Sequence, residues 1–100
     1  MSASLSRDGA KLQLRGSLDF ANADAVCNQG LTLIAAAPGS IVADLSGLES
    51  ASSLSVAILL RWARALATRG DHLQLAHVPE KCRAILRVSG LADALPEVVV

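Results

Sequence analysis

Aromatic residues are almost absent from this chain: of 100 residues, one is Trp, one is Phe and none is Tyr. Since 52% of the residues are hydrophobic all the same, the core must be built from Leu, Val, Ile and Ala. An excess of charge of either sign is lacking too, because nine Lys and Arg stand against nine Asp and Glu. A net charge of zero removes the field that gathers nucleic acid or an anionic membrane around a protein, so neither is expected as a partner. Cysteine is confined to Cys27 and Cys82, with no Cys-x-x-Cys pair. That argues against a disulfide framework or a zinc knuckle and makes a reducing compartment the default. No apolar run approaches the ~18 residues a membrane span needs, and Met1–Arg7 lacks the basic start and apolar block of a secretory signal. The expectation is a soluble, cytoplasmic chain forming one domain over residues 1–100.

What is present is a sequence of periodicities. Ala3 and Leu5, then Leu12 and Leu14 between Lys11, Gln13 and Arg15, alternate as strands with one buried face do. Arg7-Asp8-Gly9 between them supplies a hairpin turn. After Gly16 the period changes: Ala23, Val26, Cys27, Gly30, Leu33, Ile34 and Ala37 share a helical stripe behind an Asn22 cap, and Pro38-Gly39 ends it. Gly30 inside that helix costs about 1 kcal/mol against Ala, which close packing on the sheet would explain. Ile41–Leu45 is a nearly continuous apolar run, predicting a central strand buried on both faces, with Ser46–Ala51 as a loop. Ser53–Thr68, stopped by Gly70, is the longest helix. His72–Val78 alternates as a strand, Pro79 opens a helix over Glu80–Val88, and Ser89-Gly90 stops it. Leu91–Leu95 adds a turn, and Pro96–Val100 reads as a short tail that frays or packs against a neighbour. The order is β-β-α-β-α-β-α: an α/β domain with a mixed four-stranded sheet, an N-terminal hairpin and helices packed on it.

Enzyme motifs are missing. There is no phosphate-cradling Gly-x-x-x-x-Gly-Lys loop, no Gly-x-Ser-x-Gly elbow and no His-Glu-x-x-His pair. His72 and His77, five apart on one strand, point to opposite faces and cannot converge on a metal. Cys27 and Cys82 occupy apolar helix positions, where a thiol packs as a small hydrophobe. Arg61, Arg64 and Arg69 read as a solvated helix face. No cofactor is expected.

The informative segment is Ser50-Ala51-Ser52-Ser53-Leu54-Ser55, which places several hydroxyls where the long helix begins. Ser52 or Ser53 serves as an N-cap, and the same helix start offers a docking point or a phosphoacceptor whose charge the helix dipole tolerates. On the helix itself, Val56, Leu59, Leu60 and Ala63 with Leu66 or Ala67 already make one sheet-facing stripe. Leu54, Ile58 and Trp62 recur at i, i+4 and i+8 on a second face, beginning at the serines. An uncovered stripe with Trp62 beside Arg61 has the makeup of an interface hot spot. Ser52, Ser53, Leu54, Ser55, Ile58 and Trp62 are therefore the candidate partner-binding residues, with Ser53 the candidate phosphoacceptor.

Leu18-Asp19-Phe20 entering the first helix, Val42–Leu48, Ser52-Ser53 opening the long helix, and Val78-Pro79-Glu80 with Ser89-Gly90-Leu91 together resemble a STAS domain over nearly the whole chain. The resemblance implies one of two roles. Bacterial anti-sigma-factor antagonists of this family carry an Asp, a phosphorylatable Ser, a small residue and Gly-Leu at the helix start. Here Ser52, Ser53, Leu54, Ser55 and Val56 stand there, so the acceptor hydroxyl is kept at Ser53 while the acid and the glycine are gone. The chain looks more like the small standalone STAS subunit of Mla-type ABC transporters, which maintain outer-membrane lipid asymmetry. That resemblance implies a non-enzymatic accessory subunit seated on the transporter's cytoplasmic ATPase, with Ser53 in the contact, and membrane-associated through the complex alone.

Overall fold

The structure, a computed structural model, describes residues 3–50 and 52–98. Its strands are β1 (Ala3–Asp8), β2 (Lys11–Ser17), β3 (Ile41–Ser50) and β4 (Leu73–Ala76), and its helices α1 (Ala23–Ala36), α2 (Ser53–Ala67) and α3 (Glu80–Val88), in the expected order. The sheet order is β1-β2-β3-β4, with β1 antiparallel to β2 and the other neighbours parallel. The hairpin turns on Gly9 and Ala10, and Gly9 alone takes the left-handed backbone, at φ 61°. A two-residue turn with glycine first suits the twist of paired strands.

β3 is the central strand, but two expectations about it need correction. It does not end at Leu45: it continues to Ser50, because β2 offers pairing partners as far as Ser17, which lies opposite Ser50. Register shifts between Gln13 and Arg15 and between Gly16 and Ser17 absorb the mismatch, and tertiary pairing overrides the weak strand preference of Ser46-Gly47. Nor is it buried on both faces by apolar neighbours. Ile41, Ala43 and Leu45 are buried on one side, while Val42, Asp44 and Ser46 alternate onto a face that carries polar side chains, with Lys11 Nζ 3.4 Å from Asp44.

α1 begins differently from the sequence expectation. Asn22 makes no capping bond to the helix ahead of it; instead Asp19 Oδ1 accepts from the N–H groups of Ala21 and Asn22, at 2.8 and 2.9 Å. The Asn22 side chain reaches back, accepting from Asp19 N–H and donating to the Ser17 carbonyl. Asp19 and Asn22 thus form a reciprocal box one turn early. Past the far end of α2, Arg69 donates to the carbonyls of Ile34, Ala37 and Gly39 around the end of α1 and pairs with Asp71. It is a tie between elements rather than part of a solvated helix face. α3 runs as expected, and Leu91–Leu95 makes a further turn. Of the tail, Glu97 bridges Leu75 on the open edge of β4 and pairs with Arg83. Val99 and Val100 lie outside the described residues.

Candidate functional site

The chain leaves β3 at Ser50 and enters α2 at Ser53, so the serine cluster falls at the carboxyl end of the central strand. Ser52 is the N-cap residue, with extended backbone, and its N–H donates to Ser55 Oγ at 3.0 Å. The two serines form a capping box, which satisfies amide donors the helix start would otherwise leave orphaned. Ser55 is fully buried and its hydroxyl is spent on that bond. Ser53, the first helical residue, is exposed, and Leu54 is half-buried against the core. Of the four residues at the helix start, Ser53 presents its hydroxyl to solvent at the positive end of the helix dipole.

The uncovered stripe is not there. Trp62 is 0% exposed and Ile58 4%, and the indole N–H donates to the Cys27 carbonyl of α1 at 3.0 Å. The covering element is α1, and the residue that admits the ring is Gly30: a Cβ built there would lie 2.3 Å from Trp62 Cε2. The close approach that glycine predicts is therefore made to α2, not to the sheet. Both apolar faces of α2 are consumed inside the domain, one on the sheet and one on α1, and Trp62 with Arg61 is no hot spot. The signal was in the sequence as a pair, a helix glycine and a lone tryptophan, but periodicity does not say which helix meets which.

The rim around Ser53 includes a second helix start. Ser17 and Ser50 lie opposite one another at the ends of β2 and β3, and the chain rises from them into α1 and α2. Between Asp19 and Asn22, held by their box, Phe20 is 93% exposed, the most exposed large hydrophobic side chain among the described residues. Phe20 belongs to no apolar stripe, so periodicity does not mark it as a site residue, and the sequence singles it out only within the Leu18-Asp19-Phe20 stretch that resembles a STAS domain.

Elsewhere, His72 and His77 flank β4 rather than sit within it, both exposed, and His77 takes a left-handed backbone at φ 53°. Among the described residues no three His, Cys, Asp or Glu gather as a metal site, and no helix is long and apolar enough to cross a membrane. A cavity of about 410 Å³ opens near His72 and Asp93 at the amino ends of β3 and β4, opposite the serine rim. Cys27 and Cys82 are buried, and burial pushes the Cys82 thiol up from its ordinary value. Asp44 is 5% exposed. Desolvation pulls its pKa upward, but the N–H and hydroxyl of Ser46 and the Lys11 ammonium outweigh this and hold it below the usual carboxylate value.

Comparison with known proteins places this architecture. A family model described as "Mlab, STAS domain" matches residues 1–99. Among solved structures, the MlaB subunit of the Acinetobacter MlaFEDB complex in an ATP-bound conformation is 28% identical, covering 92% of this chain and 97% of that one, with a TM-score of 0.78. The anti-sigma factor antagonist SpoIIAA in its unphosphorylated form is 20% identical over 98% of this chain and 89% of its own, TM-score 0.75. An anti-sigma factor antagonist from Mycobacterium paratuberculosis is 19% identical over 99% of this chain and 86% of its own, TM-score 0.78. The two antagonists share the fold. No curated protein matches the sequence.

Proposed function

The chain belongs to the STAS domain family, and from that premise we propose that it is a non-enzymatic accessory subunit of an ABC transporter, binding and supporting the ATPase subunit through the start of α2. The observation that carries this is the likeness to the MlaB subunit, which extends over nearly the whole of both chains at 28% identity, above that of the two antagonists compared. On this reading the system moves phospholipid and maintains outer-membrane lipid asymmetry. The protein lies on the cytoplasmic side, peripheral to the membrane through the complex. Ser53 is the contact residue, flanked by Ser52 and Leu54, while Ser55, Ile58 and Trp62 hold the helix start in place from beneath.

The test is binding of the purified chain to its cognate transporter ATPase subunit. Ser53→Arg places a long cation on an exposed position, so the fold is kept while affinity falls at least about tenfold, the effect of spoiling one central contact. Unchanged affinity with the fold intact overturns the site. A second reading rests on the exposed Ser53 hydroxyl: an antagonist switched by serine phosphorylation. Stoichiometric phosphate on Ser53 after incubation with an anti-sigma kinase, detected by mass spectrometry, favours it over the transporter reading.

A further inference from the structure

From Gly16 to Leu60 the sequence contains no Lys, Arg or His, yet it contains Asp19, Asp24, Asp44 and Glu49. Asp44 faces away on the polar side of the sheet, paired with Lys11. The other three belong to the β2–α1 connection, the first turn of α1 and the end of β3, around the Ser17–Ser50 rung. Asp24 and Glu49 are exposed and, among the described residues, have no cationic partner. The chain is neutral overall, but its charges are unevenly placed: Arg61, Arg64, Lys81 and Arg87 lie on helix surfaces beyond this rim, and Arg15, whose side chain lies against Gly47 near the ends of β2 and β3, leaves the three carboxylates in excess.

Phe20 stands on the same connection as Asp19, one turn before Asp24. A single exposed hydrophobic residue needs no explanation by itself. Here two further features apply. Its backbone is clamped by the Asp19–Asn22 box and tied through Asn22 to the Ser17 carbonyl, so the ring is presented from a fixed base. It also lies three residues beyond Ser17, as Ser53 lies three beyond Ser50, so each is within about 11 Å of chain from the same rung. An anchor loses less entropy on binding when its backbone is ordered beforehand.

We propose that Phe20 is a second anchor of the surface that Ser53 marks, and that the occupant is a basic face of the ATPase subunit with an apolar pocket for the phenyl ring, Asp24 and Glu49 steering the encounter. The inference rests on the transporter reading. It goes beyond it in naming the residue that carries affinity and the chemistry of the facing surface.

Binding of the full chain to the purified cognate ATPase, measured by surface plasmon resonance with Ser53→Arg alongside, separates the two. Phe20→Ala is expected to weaken binding about 30-fold or more, mainly through faster dissociation, with the thermal midpoint unmoved because the ring touches so little of its own domain. Asp24→Lys with Glu49→Lys is expected to slow association several-fold at low salt and to abolish its salt dependence. If Ser53→Arg disrupts binding while Phe20→Ala stays within twofold, this inference is overturned and the transporter reading stands. If neither variant changes affinity, both fall. Association that is equally fast from low to high salt overturns the basic-partner assignment.

Discussion

Trp62 is the most consequential side chain in the molecule. It is the largest fully buried group, its one donor is satisfied by Cys27, and its ring lies where Gly30 leaves no side chain. Trp62→Ala therefore removes packing, a buried hydrogen bond and the contact between α1 and α2 together. The expected cost is about 3–5 kcal/mol, read as a lower urea midpoint. Gly30→Ala attacks the same contact from the other side, forcing the ring or the helix to shift, at about 1–3 kcal/mol. The two are not additive: in a Trp62→Leu background Gly30→Ala should cost little or become favourable, since the helix gains propensity and the ring is gone. Additive costs in that cycle would show that Gly30 serves something other than the indole. This is also where sequence reasoning failed most plainly. The leftover stripe of Leu54, Ile58 and Trp62 was legible as apolar, but a helical period is the same whether the covering surface belongs to the same chain or another.

Element ends carry the next level of the fold. α1 has no basic residue in its last turn, and the cation it lacks arrives from Arg69, whose guanidinium donates to three carbonyls at its end. Arg69→Ala should destabilise the domain by about 1–2 kcal/mol, a magnitude reduced by partial exposure, and raise amide exchange in the last turn of α1 while that of β1 and β2 is unchanged. Arg69→Lys should recover little, because a single ammonium does not span three acceptors. A loss spread evenly over the sheet would contradict the capping role. The helices themselves were legible, since Ser52-Ser53, Pro79 and Gly90 are strong punctuation at α2 and α3. The ties between them were not: Arg69 is 30 to 35 residues from its carbonyls, and no local pattern encodes a long-range acceptor. The far half of β3 is illegible for the converse reason, because Ser46–Ser50 has weak strand preference and is held by β2 alone. The start of the candidate site was legible in Ser53, whereas Phe20 obeys no period and its exposure is set by the fold alone.

At the scale of the whole molecule, a neutral chain with separated charges has a stability profile set by a few groups whose folded environments differ from water. Asp44 is held below its ordinary pKa by Ser46 and Lys11 against the pull of desolvation. A depressed carboxylate contributes stability fully above its unfolded pKa, near ~4, and that contribution is lost as pH falls through the lower folded value. Glu97, hydrogen-bonded by Arg83, shifts the same way, but it is exposed and adds little. Cys82 is shifted upward by burial, so its contribution is present through neutral pH and lost as the unfolded thiol begins to ionise above about pH 8.5. The expected profile is a plateau across neutrality with an acid limb owed chiefly to Asp44 and a shallow alkaline limb owed to Cys82. Asp44→Asn keeps the side chain's size while removing the charge that Lys11 and the Ser46 N–H recognise. It should lower the urea midpoint at pH 7 and flatten the acid limb, so that the difference between the two proteins shrinks as the pH falls through the Asp44 titration. Parallel limbs in both proteins would mean that Asp44 has the same affinity for protons folded and unfolded, and that the polar face of the sheet contributes nothing to the pH dependence of stability.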